Sequence, residues 1–206
     1  MVEKFNVLKQ VKTKLGNDIV LLGNNPSALI IGIFHGDEPQ GKFLIENYIN
    51  NPVQPCSALF IPCLNPDGLA AGTRTNANGV DLNRNFPAAN WELTEKNEFF
   101  GGETPGSEIE TQFLMDVIKE YKPKTILALH APLKAVNYDG PAQEAARKIS
   151  EIINYPAAED IGYPTPGSFG TWAGVERGIP VITLELDDKC PAEDLIEPFR
   201  KILLSL

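Results

Sequence analysis

Apolar residues run from Ala28 to Phe34, interrupted only by Gly32, and stop at His35-Gly36-Asp37-Glu38-Pro39, the profile of a buried strand ended by a turn. The next segment, GKFLIENYI, places Phe43, Leu44 and Tyr48 on one helical stripe, and Ala58 to Pro62 reads as a second strand. Strand, helix and strand in that order predict a parallel crossover unit. Further on, Ile109, Phe113, Val117 and Tyr121 recur every fourth residue with Leu114 beside them, which predicts an amphipathic helix over SEIETQFLMDVIKEY. Ser107 followed by Glu110 predicts a capping box at its start. Thr125 to Leu129 is a third strand with His130 at its carboxyl end, and Pro141 to Ile153 is a helix. A turn-rich YPTPGSFG segment precedes a short helix over Thr171 to Arg177, a strand over Val181 to Leu186 and a terminal helix over DLIEPFRKILLSL that accommodates Pro198.

Between Asn65 and Thr104 the periodicity is lost and Asn, Gly, Thr, Arg and Pro dominate. So long a connection in a compact chain points to binding or catalysis. A length of 206 residues suits a single α/β domain over 1–206, with no repeat or linker. Open α/β sheets bind ligands outside the carboxyl ends of their strands, and His35/Glu38, His130 and Glu185 all fall near such ends.

The formal charge of −9 gives no general reason to approach a phosphate backbone, so nucleic acid is not an expected partner. The amino terminus lacks the basic head and apolar core of a secretory signal. No stretch approaches the ~18 uninterrupted apolar residues of a membrane span, so no membrane partner is expected. Cys56, Cys63 and Cys190 are an odd set that suggests buried or half-buried free thiols, and a reducing cytoplasm is the expected location. GDEPQGK lacks the glycine spacing of a phosphate-binding loop.

The chain has only two histidines, His35 and His130, and both stand at predicted strand ends. With Glu38 three residues after His35 they can form a His₂Glu zinc site that leaves a position for water. From spacing alone, two structural histidines explain them as well. Asp37 is suited to a turn, to a hydrogen bond that orients a histidine, or to direct ligation. Glu185, in VITLELDD, is either a solvent-facing strand residue or a carboxylate able to take a proton from water beside a metal. In AGTRTNANGVDLNRNFP, Arg84 can fork onto a carboxylate with help from Asn83, and Arg74 can polarise a carbonyl. Alternatively, both arginines pair with Asp67, Asp81 or a loop carbonyl.

Together these pieces resemble the zinc metallocarboxypeptidase family: His35-Gly-Asp-Glu38, Asn65-Pro-Asp-Gly68, Arg74, Gly79-Val-Asp-Leu-Asn-Arg-Asn-Phe86, the strand-end His130 and Thr183-Leu-Glu185, in family order. The resemblance implies a three-layer α/β/α fold with a mixed parallel/antiparallel sheet. It also implies one Zn²⁺ on His35, Glu38 and His130, with Glu185 as general base and acid and Arg74 as the carbonyl-polarising arginine. Asn83 and Arg84 match the pair that grips a substrate's terminal carboxylate. HGDEPQG, Leu129-His130-Ala131-Pro132 and Pro166-Gly-Ser-Phe-Gly-Thr-Trp172 look most like the bacterial murein peptide amidases within that family. Those enzymes cleave the γ-D-glutamyl–meso-diaminopimelate bond of small cell-wall peptides during recycling, so a small peptide with a free carboxylate is the implied substrate. One departure is that Trp172 is followed by Ala173-Gly174, with no match for the mobile tyrosine of the digestive enzymes. Tyr138 and Tyr163 are the candidates to replace it.

Two other functions fit parts of the pattern. Aminoacylases of the aspartoacylase and succinylglutamate desuccinylase type resemble the HxxE and DLNRxF portions, although NPDG and Ala128-Leu129-His130 look like the peptide-cleaving branch. A catalytically silent zinc protein that binds carboxylated peptides would retain the ligands without turnover.

Overall fold

The computed structural model describes residues 5–24, 27–52 and 57–206, so Cys56 lies outside the described residues. The chain opens with β1 (Asn6–Lys12) and β2 (Asp18–Gly23), followed by β3 (Ala28–Ile31), α1 (Gln40–Asn50) and β4 (Ala58–Ile61). After α2 (Pro66–Ala71) and a single 3-10 turn at Leu82–Arg84 come α3 (Ile109–Tyr121), β5 (Thr125–His130) and β6 (Ala135–Asp139). The chain ends with α4 (Gln143–Ile153), β7 (Ala157–Ala158), β8 (Val181–Glu185) and α5 (Ile196–Ser205).

The described residues form one eight-stranded sheet in the order β1-β2-β4-β3-β5-β8-β6-β7. The β3-α1-β4 unit is the parallel crossover expected from the pattern, and β3, β5 and β8 continue the parallel block. Antiparallel pairs flank it, β1 with β2 and β2 with β4 on one side and β6 with β8 on the other, which makes the sheet mixed. Alternate residues of the central strands enter two cores. Leu29, Ile31, Leu59, Ile61 and Ile126 pack beneath α3, while Ile30, Phe60, Leu127 and Leu184 meet α1, α4 and α5. The result is a three-layer α/β/α fold.

Several expectations are corrected. The strand beginning at Ala28 ends at Ile31, because Ile33 turns into the left-handed region with φ 59° and swings the chain toward His35. Residues 66–71 of the expected loop are helical: Pro66 starts α2, the Asn65 side chain accepts from Gly68 N at 2.9 Å, and Gly72 ends it at φ 65°. The capping box on α3 is absent. Ser107 Oγ donates to Glu108 Oε1 at 2.6 Å instead, and buried Glu110 accepts from Asn76 Nδ2 at 3.2 Å. The buried face of α3 is Phe113, Leu114, Val117 and Ile118, while Ile109 is exposed. The short helix expected from Thr171 is a wide π-helical turn over Gly170–Val175. Pro198 is tolerated because it lies in the first turn of α5, where its missing N–H has no partner to lose.

Close backbone contact fixes the turn that carries the HGDE segment. A β-carbon on Gly36 would lie 2.0 Å from the carbonyl carbon of Gly68, so HGDE and NPDG are pressed together at two glycines. Buried Asn65 reinforces the contact, with its N–H donating to Ile33 O at 2.9 Å and its Nδ2 to Phe34 O at 3.2 Å. A Gly36→Ala variant is expected to lose at least about 1–3 kcal/mol of stability, the cost of overpacking. Urea unfolding of chelator-treated protein measures it, and an unchanged midpoint would show that the contact yields freely.

Candidate metal centre

The three sequence-predicted ligands converge at the carboxyl ends of β3 and β5. One donor atom each from His35, Glu38 and His130 lies within 4.8 Å of the others. His35 Nδ1 stands 2.8 Å from Glu38 Oε1, His130 Nδ1 is 3.1 Å from Glu38 Oε2, and the two Nδ1 atoms are 3.3 Å apart. Donors about 2.0–2.1 Å from a tetrahedral zinc ion stand roughly 3.3 Å from one another, so this donor set fits one such ion. The same residues set opposed charges against one another. Burial disfavours charge on His35, but Asp81 and Glu38 outweigh it and raise its pKa to about 9. Burial likewise opposes ionisation of Glu38, yet His130 and His35 bring its pKa down to about 2.

Asp81 joins the centre to the long loop. Completely buried, it stands 3.0 Å from His35 Nε2, accepts from Arg74 Nε at 2.9 Å and from Asn83 N at 2.8 Å, and forms an ion pair with Arg74 Nη2 at 2.8 Å. With Nε2–H donating to Asp81, His35 presents Nδ1 as the ligand atom, on the side where Glu38 and His130 lie. Asp81 was legible only as a partner for the arginines. Its place within GVDLNRNF was the available signal. Asp37 does not take the orienting role: it is exposed, outside the ligand group, on the rim of a second groove beyond Arg74.

Glu185 belongs to the same face. In the parallel pairing of β5 with β8 it is the register partner of His130, which brings a ligand and the predicted base side by side. Glu185 is 8% exposed, its Oε2 has no hydrogen-bond partner among the described residues, and burial raises its pKa. A desolvated carboxylate with a free oxygen beside a metal group is suited to exchange protons with a ligand in the cleft.

The cleft encloses about 220 Å³ and includes Arg74, Asn83, Arg84 and Tyr163 in its wall. Asn83 Oδ1 accepts from Phe169 N at 2.9 Å, which turns its amide N–H₂ away as the donor end. Arg84 is buried and donates from Nη1 to Asn83 O at 2.7 Å. Burial lowers its pKa, Asp81 opposes this and the nearby Arg74 charge adds to it, so an anionic ligand would favour the Arg84 cation. Tyr138 points elsewhere: it alternates with cleft-lining Asn137 and Asp139 on β6 and packs into the core beneath α4 and α5. Of the two tyrosines considered, only Tyr163 lines the cleft. Aromatic rings support the floor, with Phe34 stacked on His130 at 5.1 Å and Phe169 packed on Phe34 at 5.4 Å.

A His₂Glu group at strand ends, a carboxylate on the adjoining strand and arginines in the facing loop are the centre of a mononuclear metal hydrolase. Residues 20–147 match the zinc carboxypeptidase family, and the chain belongs to that family, whose cofactor is zinc. It is 36% identical over 159 residues to murein peptide amidase A of Escherichia coli K12, an alignment that covers 71% of this chain and 65% of the relative. The chain thus spans somewhat under two thirds of that relative's length. Among solved structures it is similar to murein-tripeptide amidase from Escherichia coli O157, with a TM-score of 0.79 at 30% identity over 93% of this chain and 87% of the other. The fold is also that of carboxypeptidase A from Helicoverpa armigera, with a TM-score of 0.76 at 18% identity over 97% and 66% of the respective chains.

If Asp81 sets the histidine's tautomer and orientation, Asp81→Asn should weaken zinc binding about 10–100-fold. Competition with a chromogenic chelator reports the change, and unaltered affinity would remove Asp81 from the metal centre.

Proposed function

We propose that the chain is a single-domain, zinc-dependent amide hydrolase over 1–206 that acts on small carboxylated peptides, and that its bond is γ-D-glutamyl–meso-diaminopimelate in murein peptides. The observation that carries this reading is the convergence, in one cleft, of the His35/Glu38/His130 group, Glu185 with its free buried oxygen, and the Arg74 and Asn83/Arg84 donors. The likeness to murein peptide amidases supports the choice of bond. A cytoplasmic place in peptidoglycan recycling is part of the same proposal, supported by the odd number of cysteines.

His35, Glu38 and His130 would hold the zinc, which supplies Lewis acidity and makes water a nucleophile near neutral pH. Asn83 and Arg84 fix the substrate by the α-carboxylate of its leaving portion, setting the scissile carbonyl between Glu185 and Arg74. Glu185 takes a proton from the attacking water as its oxygen bonds to the carbonyl carbon. Arg74 donates to the carbonyl oxygen as negative charge gathers there. When the C–N bond breaks, Glu185 returns the proton to the nitrogen and an amine departs. No covalent acyl-enzyme is required.

Supplying zinc-loaded protein with L-alanyl-γ-D-glutamyl-meso-diaminopimelate, beside N-acyl amino acids, should release free diaminopimelate detectable by mass spectrometry. Turnover confined to the N-acyl amino acids would replace the amidase reading with a deacylase, and turnover of neither would favour a binding protein. Glu185→Gln should retain zinc but lose about 10²–10⁴-fold in kcat, as expected for removal of a general base and acid. Equal turnover by the purified variant would exclude that role.

A further inference from the structure

Phe99 and Phe100 are neighbours in the loop that follows the Leu82–Arg84 turn, yet Phe100 is 5% exposed and Phe99 keeps 45% of its surface in solvent. The backbone beneath both rings is held. Phe99 N donates to Asn97 Oδ1 at 2.8 Å and Phe100 N to Asn97 O at 3.1 Å, while Phe100 O accepts from Asp81 N at 2.8 Å. A β-carbon on Gly101 would lie 2.5 Å from Arg84 O, so residues 99–101 run close along residues 81–84. On this fixed backbone the Phe99 ring lies against Arg74, with the guanidinium carbon 5.1 Å from the ring centroid, inside the range of a cation–π contact.

Asp81 alone does not aim Arg74. The arginine's Nε donates to Asp81 Oδ2 at 2.9 Å and its Nη2 stands 2.8 Å from the same oxygen, so both anchors meet at one point. A fork onto two carboxylate oxygens fixes the orientation of a planar guanidinium, whereas two contacts on one oxygen leave it free to turn about that oxygen. The remaining amino group, Nη1, is 4.0 Å from Glu38 Oε1, beyond hydrogen-bond reach. A second contact, away from Asp81, is needed to stop the rotation.

There is space for Arg74 to turn into. It belongs to the walls of two cavities, the metal cleft and an adjoining groove of about 570 Å³ whose lining includes Asp37 and Glu98. Lys96, in the same groove, is paired with Glu103 at 2.6 Å. The groove carboxylates attract a guanidinium away from the carbonyl it is to polarise. A ring packed on the guanidinium opposes that movement, because leaving it forfeits both the packing and the attraction of the cation to the aromatic face.

We propose that Phe99 is a positioning residue that keeps the Arg74 guanidinium turned to the metal cleft and out of the adjoining groove. Its effect on turnover rests on the amidase reading, but the placement of Arg74 does not. Phe99 is outside the cleft wall and acts through the arginine. Asp81 fixes where the guanidinium is attached, and Phe99 fixes the direction in which its free amino group is presented.

In zinc-loaded protein given the murein tripeptide, Phe99→Leu is expected to lower kcat about 2–5-fold, the range of a cation–π contact at an exposed site, with KM, zinc affinity and thermal unfolding unchanged. Phe99→Tyr retains an aromatic face and should stay within about twofold of the unaltered protein. With Arg74→Met already in place, Phe99→Leu should change kcat by less than about 1.5-fold, because the ring then has no cation to hold. A leucine variant with full activity, or an equal loss in the Arg74→Met background, would overturn the assignment. Crystal structures of the zinc-loaded proteins test the placement without turnover: Arg74 should face the cleft in the unaltered protein and enter the groove, or divide between the two, in Phe99→Leu. An unmoved guanidinium in Phe99→Leu would equally reject the role. If the unaltered protein hydrolyses no peptide, the amidase reading fails, and the position of Arg74 in the two crystal structures alone decides for or against Phe99.

Discussion

The centre depends on one buried carboxylate. Asp81 is held among His35 Nε2, the Arg74 guanidinium and the backbone N–H of Asn83, so a single side chain joins a candidate metal-ligand histidine in the turn after β3 to the loop that supplies the arginines. Isolated, a charge at that depth would be strongly unfavourable; surrounded by these donors it becomes a rigid junction. It also divides the work of His35, since an imidazole with one nitrogen committed to Asp81 has only the other to offer a metal. Arg74 is thereby aimed from behind, and its nearest Glu38 oxygen is 4.0 Å away, too far for a tight pair that would divert either group.

The accuracy of this junction comes from what lies below it. The Gly36–Gly68 contact and Asn65 fix the turn after β3, while the stacked Phe34 ring supports His130 and meets Phe169 beneath the cleft. Close packing at these points leaves the ligands little freedom to relax toward their own partners. The left-handed Ile33 is consistent with that view: a β-branched residue holds such a conformation only where its surroundings impose it, and here it adjoins the histidine turn.

What the sequence made legible, and what it did not, follows from which force shaped each element. The crossover β3-α1-β4 and the strands ending at His130 and Glu185 were readable because burial on both faces makes them continuously apolar. β1 escaped notice because it is an edge strand with an irregular register and Val7 57% exposed, so its pattern carries little hydrophobic signal. β6 escaped for a different reason: one of its faces lines a polar cleft, and Asn137 and Asp139 replace the residues a periodicity argument seeks. Helix α2 did carry readable marks, an asparagine cap followed by proline, but its six residues are too few to show a period. In the centre, the ligand residues were legible because histidine is scarce in this chain, whereas Asp81 was one acid among many. The assignment of tyrosines to the cleft required the strand phase of β6, which spacing alone does not supply.

The division of labour between elements explains why family membership fixes the chemistry more firmly than the substrate. The ligands and Glu185 stand on the central parallel strands and their turns, where two cores hold them. The far wall of the cleft belongs to β6 and to residues 159–170, at the antiparallel margin of the sheet, with Glu159, Asp160 and Tyr163 exposed. The wall is tied to the floor through the Asn83–Phe169 hydrogen bond, the Phe86–Gly167 backbone hydrogen bond, the packing of Phe169 on Phe34 and the β6–β8 ladder. The metal group and Glu185 thus lie on the parallel strands, while the opposite wall lies on the sheet margin and its loop, where side chains vary more readily than in the core. In this chain the wall carries Asp139, Glu159 and Asp160, whereas the loop at the floor carries Arg74 and Arg84, so the two sides of the cleft differ in charge.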